Sequence, residues 1–136
     1  MNYKVHHITN KKKLQGSFNP QYLTIHSTAN LKSTAQNERD WLNSNSNTTT
    51  TGFHTAVDDN EAIECMPLNV KAHHTGNSLG NNTSIGLEIC ESGDRQKTLD
   101  NAVEVTAKIL KRFGWGIDKL KRHYDWSKKH CPRILN

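Results

Sequence analysis

The sequence predicts an α/β domain with a central mixed β-sheet flanked by helices. Segments of strand character alternate along the chain with helical ones, the pattern of a sheet covered on its faces. Two of the strand segments, Tyr22-Leu23-Thr24-Ile25-His26 and Ser84-Ile85-Gly86-Leu87-Glu88-Ile89-Cys90, are apolar runs of β-forming residues. Over about 95–113 the residues Leu99, Ala102, Val103, Thr106, Leu110 and Phe113 fall on one stripe at three- and four-residue spacing, which predicts a long amphipathic helix.

Taken in order, residues 3–8 read as a short strand leading into the basic turn Lys11-Lys12-Lys13. Residues 21–27 form the strand that ends at His26. Ser33-Thr34-Ala35-Gln36 resembles a capping box with Ser33 as N-cap, opening a helix to about Asn43 whose core contacts would be Ala35, Trp41 and Leu42. The polar stretch from Asn43 through Thr51 reads as an exposed loop. Gly52–Val57 and Ala62–Cys65, joined by Asp58-Asp59-Asn60-Glu61, carry a hairpin signal. Asn77–Asn82 reads as a second loop, delivering the chain into the strand with Glu88. Gly114 and Gly116 end the long helix.

With 136 residues the chain fits one domain and can bury a core without disulfide staples. Its mean hydropathy of −0.81 is low, yet the periodic patterns argue against disorder. Eighteen basic and 13 acidic side chains give +5, which favours a polyanionic partner without choosing one. No apolar run approaches a membrane span, and the N-terminus lacks the continuous apolar stretch of a secretory signal. Three cysteines without framework spacing read as reduced thiols, with one Cys65–Cys90 bridge left open.

The chemistry concentrates at His26, His123 and Cys131. His26 and His123 each follow a strand or its edge, where active-site groups of α/β sheets tend to lie. Cys131 precedes a proline that fixes the backbone beside it, and the spacing of eight residues between His123 and Cys131 lets a turn fold both onto one ion. Two imidazoles and a thiolate leave one position of a tetrahedral zinc open for water, the arrangement of a catalytic site. Glu88, a lone carboxylate in an apolar run, could take a proton from that water. Any one of these histidines, taken alone, reads more readily as an ordinary residue than as a ligand; it is their combination that shifts the balance.

The run His123-x-Asp125-x-Ser127-x-Lys129-x-Cys131-Pro132 and the segment Thr24-Ile25-His26-Ser27-Thr28 resemble the zinc-dependent N-acetylmuramoyl-L-alanine amidases of the phage-lysozyme and peptidoglycan-recognition-protein type. Gly52–Asp59 and Asn82–Cys90 match as well, so the likeness runs from about 20 to 133, nearest to endolysin amidase domains of Gram-positive hosts. The resemblance implies that fold, Zn2+ held by His26, His123 and Cys131, and cleavage of the amide between N-acetylmuramic acid and L-alanine in bacterial peptidoglycan. The chemistry then calls on Glu88 to accept the water proton and hand it to the leaving amine, and Lys129, where the family carries a catalytic lysine, to steady the oxyanion; a solvated Lys129 beside Lys128 is the competing reading. Ala72-His73-His74-Thr75-Gly76 departs from the family's usual Trp-His-Ala-Gly by carrying His73 in place of the tryptophan. His74 is expected in the substrate groove or as a satisfied loop histidine. His54 is expected as substrate-binding, as support beside the zinc, or as packing. Asp125 could hold a ligand imidazole, but a turn cap is preferred. His6, His7 and His130 read as surface residues.

The resemblance further implies a single catalytic domain over 1–136, working as a monomer, either alone or as part of a longer lysin with a C-terminal wall-binding domain. Such a lysin waits in the cytosol until the membrane is breached and then acts on the wall; a secreted autolysin would read the same way. Nucleic-acid binding is disfavoured because the lysines are scattered and no finger or aromatic RNA-binding motif occurs. Two rivals remain: a non-catalytic peptidoglycan-binding module of the same fold, and a structural zinc site completed by Cys65, Cys90 or His130.

Overall fold

The computed structural model describes residues 1–135. Its strands are β1 (Asn2–Val5), β2 (Tyr22–Ser27), β3 (Thr55–Val57), β4 (Glu61–Glu64), β5 (Ser84–Ile89) and β6 (Leu120–Arg122). Its helices are α1 (Ala35–Asn43), α2 (Ser78–Thr83), α3 (Arg95–Phe113) and α4 (His123–Ser127). The strands form one mixed sheet in the order β1-β4-β3-β5-β2-β6, with only the β3–β4 hairpin antiparallel. The expected fold class holds. No described helix is long and apolar enough to cross a membrane.

Strand alternation divides the sheet into two faces. Leu23 and Ile25 of β2 and Ile85, Leu87 and Ile89 of β5 point to one side, where Ala102, Val105 and Ile109 of α3 cover them. On the other side α1 supplies Ala35 and Leu42 to a second cluster with Ala56, Ile63, Cys65 and Cys90. Thr24, His26, Gly86 and Glu88 share that second face, and the register pairs His26 with Glu88.

Several expectations shift by a residue or a face. Thr34, not Ser33, caps α1: its hydroxyl accepts from Asn37 N at 3.1 Å and Asn37 Oδ1 accepts from Thr34 N at 3.0 Å. Trp41 is 57% exposed and not a core contact. The buried stripe of α3 is Thr98, Ala102, Val105 and Ile109; Val103, one residue past Ala102, turns outward. The Asn77–Asn82 segment is largely helical, because Asn77 caps it by accepting from Gly80 N at 3.0 Å. Gly114 ends α3 in the left-handed conformation, as expected of a C-terminal glycine. Cys65 and Cys90 are buried and unbridged.

Candidate active site

Three elements deliver the expected donors to one point. His26 lies at the C-terminal end of β2. β6 pairs with β2, Ile25 opposite Arg122, so His123 at the start of α4 arrives beside His26. Asp125 accepts from Arg122 N at 2.8 Å and so caps α4, as preferred from sequence. Lys128 ends that helix with a positive φ. The chain then returns: Tyr124 N donates to Cys131 O at 3.1 Å, and a cis peptide bond joins Cys131 to Pro132. Arg133 N donates to Ser27 Oγ at 3.1 Å, and the Arg133 guanidinium pairs with Glu91 at 2.7 Å.

His26 Nδ1 and His123 Nδ1 are 3.1 Å apart, and Cys131 Sγ is 3.8 Å from His26 Nδ1. The donor atoms of His26, His123 and Cys131 all lie within 4.8 Å of one another, and all three residues are buried. A hydrogen-bonded row fixes which nitrogen faces this point. Ser84 O can only accept, so His74 Nε2–H donates to it at 2.9 Å. His74 Nδ1 is then an acceptor and takes the Nε2–H of His26 at 2.8 Å. The lone pair of His26 is thereby left on Nδ1, toward His123 and Cys131.

Burial keeps these rings neutral. Desolvation holds His26 well below the ordinary imidazole value, with His74 and His123 adding to it. The same cause brings His74 down to about 3 and lowers His123, on which the Lys129 ammonium also acts. Burial raises the Cys131 thiol, so its thiolate calls for a nearby cation. Two neutral imidazoles and a buried sulfur suit a divalent ion of intermediate softness, and the group can hold a metal.

Glu88 is half-buried beside this point. Its Oε2 has no hydrogen-bond partner among the described residues. Burial pushes its carboxyl up to about 8, Glu38 adds to this, and Lys129 pulls the other way. Exposed Lys129 lines the same cleft of about 430 Å³ as His26, Glu88, His123 and Cys131. Residues 16–134 match the N-acetylmuramoyl-L-alanine amidase family, Amidase_2. The chain belongs to that family.

Relatives of this amidase-family chain agree. It is 46% identical over 132 residues to N-acetylmuramoyl-L-alanine amidase XlyB of Bacillus subtilis (strain 168), covering 91% of this chain and 41% of XlyB. Identity to CwlA of the same organism is 47% over 124 residues, 85% of this chain and 44% of CwlA. The chain thus spans about two fifths of the length of these relatives. Among solved structures, the catalytic domain of XlyA superposes with a TM-score of 0.91 at 34% identity, over 99% of this chain and 92% of that one. PlyL gives 0.89 at 31%, over 99% and 89%.

Not every expected site residue joins the centre. His74 reaches the cleft, yet both of its nitrogens are engaged, and it stands behind His26 as support. His54 is fully buried, accepts from Gly86 N at 2.9 Å and donates to Val70 O at 2.7 Å. With neither nitrogen available it cannot contact a substrate, and packing is the reading that fits. Cys65 and Cys90 sit in the second core cluster, outside the group that can hold a metal. The Thr48–Thr51 loop borders the cleft as expected through Thr49 and Thr51, whereas 77–82 does not line it. His130, expected at the surface, is exposed and lines the cleft. Trp41 lines it too. Sequence reasoning missed Trp41 because a tryptophan beside Leu42 at the end of a helix reads as core.

Proposed function

We propose that this chain hydrolyses the amide between the lactyl group of N-acetylmuramic acid and L-alanine in bacterial peptidoglycan. The single observation that carries this reading is Glu88, a half-buried residue whose buried Oε2 has no partner among the described residues, in the cleft where His26, His123 and Cys131 converge. The names of its amidase relatives point the same way. On this reading His26, His123 and Cys131 hold Zn2+, and residues 1–136 form the catalytic unit. A zinc ion bound there supplies Lewis acidity, acidifying a water and polarising the scissile carbonyl.

The chain's own residues do the rest. The Glu88 carboxylate accepts the proton of the attacking water and returns it to the alanine nitrogen as the C–N bond breaks. A carboxyl raised by burial and lowered by Lys129 is suited to both halves of that exchange. The Lys129 ammonium, two residues before Cys131, faces the negative charge that develops on the carbonyl oxygen. His74 holds His26 in the tautomer with its Nδ1 lone pair inward. The acceptor-only carbonyl of Ser84 anchors the row.

Mass spectrometry of digested cell wall tests the bond cut. New free L-alanine amino termini are expected, and new reducing sugars in their place would sink the assignment. Amine release that a chelator abolishes separates hydrolysis from a binding module of the same fold.

A further inference from the structure

Lys13 is fully buried although it stands at the end of a basic turn. Its ammonium donates to Asn47 Oδ1 at 2.7 Å, to Thr49 O at 2.7 Å and to Thr49 Oγ1 at 3.0 Å. Three acceptors match the three hydrogens of an ammonium, so the buried charge is satisfied. Asn47 passes the constraint on, donating its amide to Trp41 O at 3.0 Å. Asn10 adds its own amide to the Leu42, Ser44 and Asn47 carbonyls at 3.1–3.2 Å. An N-terminal arm thus ties down both the end of α1 and the following loop. The arm precedes the residues that match the family, 16–134.

What the arm holds is one wall of the cleft, lined by Trp41, Asn47, Thr49 and Thr51. Trp41 is 57% exposed, and it lines the cleft. Its neighbours in this wall are amide and hydroxyl groups. Glu38, the carboxylate of α1 that reaches the cleft, is engaged by the Ser33 hydroxyl. The cationic Lys129 and Arg133 come from the C-terminal segment instead.

A muramoyl peptide has matching halves: an uncharged sugar chain and a peptide bearing carboxylates. A flat, rigid indole with hydroxyl and amide neighbours suits the C–H face and equatorial polar groups of a sugar ring. We infer that Trp41 and the Asn47–Thr51 loop, held by Lys13, form the saccharide-binding wall of the cleft, with Trp41 as stacking platform for an N-acetylhexosamine ring. Trp41 is a substrate-binding residue and Lys13 a positioning residue. The inference rests on the proposed peptidoglycan reading.

The test uses the Glu88→Ala chain, so that binding is read without turnover. A peptide-free N-acetylglucosamine tetramer and a sugar-free L-alanine-led tripeptide are titrated separately, following indole fluorescence and calorimetric heat. Trp41→Ala is expected to weaken tetramer binding by about tenfold or more, Trp41→Phe by less, and neither to change tripeptide binding. No tetramer binding by the parent, equal binding by Trp41→Ala, or a loss confined to the tripeptide overturns the inference. In the otherwise native chain, Lys13→Met is expected to raise KM for cell wall, keep kcat within about twofold, and speed amide exchange across residues 44–51. Asn47→Ala cuts the same tie from the loop side and should act alike if Lys13→Met does not fold. Unchanged KM and exchange, or a fall in kcat alone, overturns the role of Lys13. Should the native chain cut no amide at all, the proposed function fails while the tetramer titration still decides for or against Trp41.

Discussion

His26 has two ring nitrogens and the fold uses both, one inward and one on His74. A ligand whose outer N–H is held is fixed in tautomer and orientation before any ion arrives. Replacing His74 with Leu should therefore weaken zinc binding roughly 10- to 100-fold, read by competition with a chromophoric chelator. Asn, which can place an acceptor near Nδ1, should restore part of it. Unchanged affinity in the Leu variant would remove His74 from this role. His54 supports a prediction about acid. Burial brings its folded pKa to about 4, against 6.5 for a free imidazole. As pH falls the unfolded chain takes up that proton first, so the stabilising contribution is complete above 6.5 and is lost toward 4. Urea unfolding of chelator-treated protein should lose up to ~1.4 kcal/mol per pH unit from this group across that window. A His54→Gln variant should show a shallower slope. His26 was legible as a candidate because it stands at the end of an apolar strand, and Glu88 because it is a lone carboxylate in an apolar run. The tie between His26 and His74 was not, since nothing local to 72–76 says which strand it meets.

At the scale of elements, β5 shows how one strand serves core and site together. Ile85, Leu87 and Ile89 feed the α3 side, while Gly86 and Glu88 face the other. Gly86 is needed there for closeness: a Cβ would stand 2.8 Å from His74 Nδ1 and 3.0 Å from its Cγ. Gly86→Ala should push the His74 ring away, cost about 1–3 kcal/mol in stability, and lower metal affinity in the same direction as the loss of His74. Thermal melts alongside metal titration check both; a variant with native values in each would mean that the strand or ring yields freely. Strands β2 and β5 were readable from alternation and composition, and α3 from its period. The N-cap of α1 was misplaced because Ser33 and Thr34 are both good caps, and side-chain reach decides between them. The face of α3 was misjudged at Val103, where adjacent apolar residues leave the stripe ambiguous by one position. Helix α2 has almost no apolar period and depends on its Asn77 cap.

For the molecule as a whole, the His26, His123 and Cys131 group joins β2 to the C-terminal segment, so removing an ion held there should loosen both. Chelation is expected to lower Tm, with the loss shrinking as free zinc is restored, following the mass-action term for a ligand of the native state. Glu88→Ala should retain zinc and Tm but lose amide hydrolysis; a variant that still cuts the wall at the native rate would strike Glu88 from the mechanism. Class of fold was legible because strand and helix patterns alternate along the chain. Strand order was not, since pairing β6 with β2 depends on tertiary contacts that three short residues do not announce. The three donors lie far apart in sequence: 97 residues separate His26 from His123, and 105 separate it from Cys131. Synthesis proceeds from the N-terminus, so a growing chain contains no assembled centre until Cys131 has left the ribosome. A chain shortened to end at Arg122 should bind no zinc tightly. On the proposed reading, a nascent chain that has not yet reached Cys131 cannot cut cell wall.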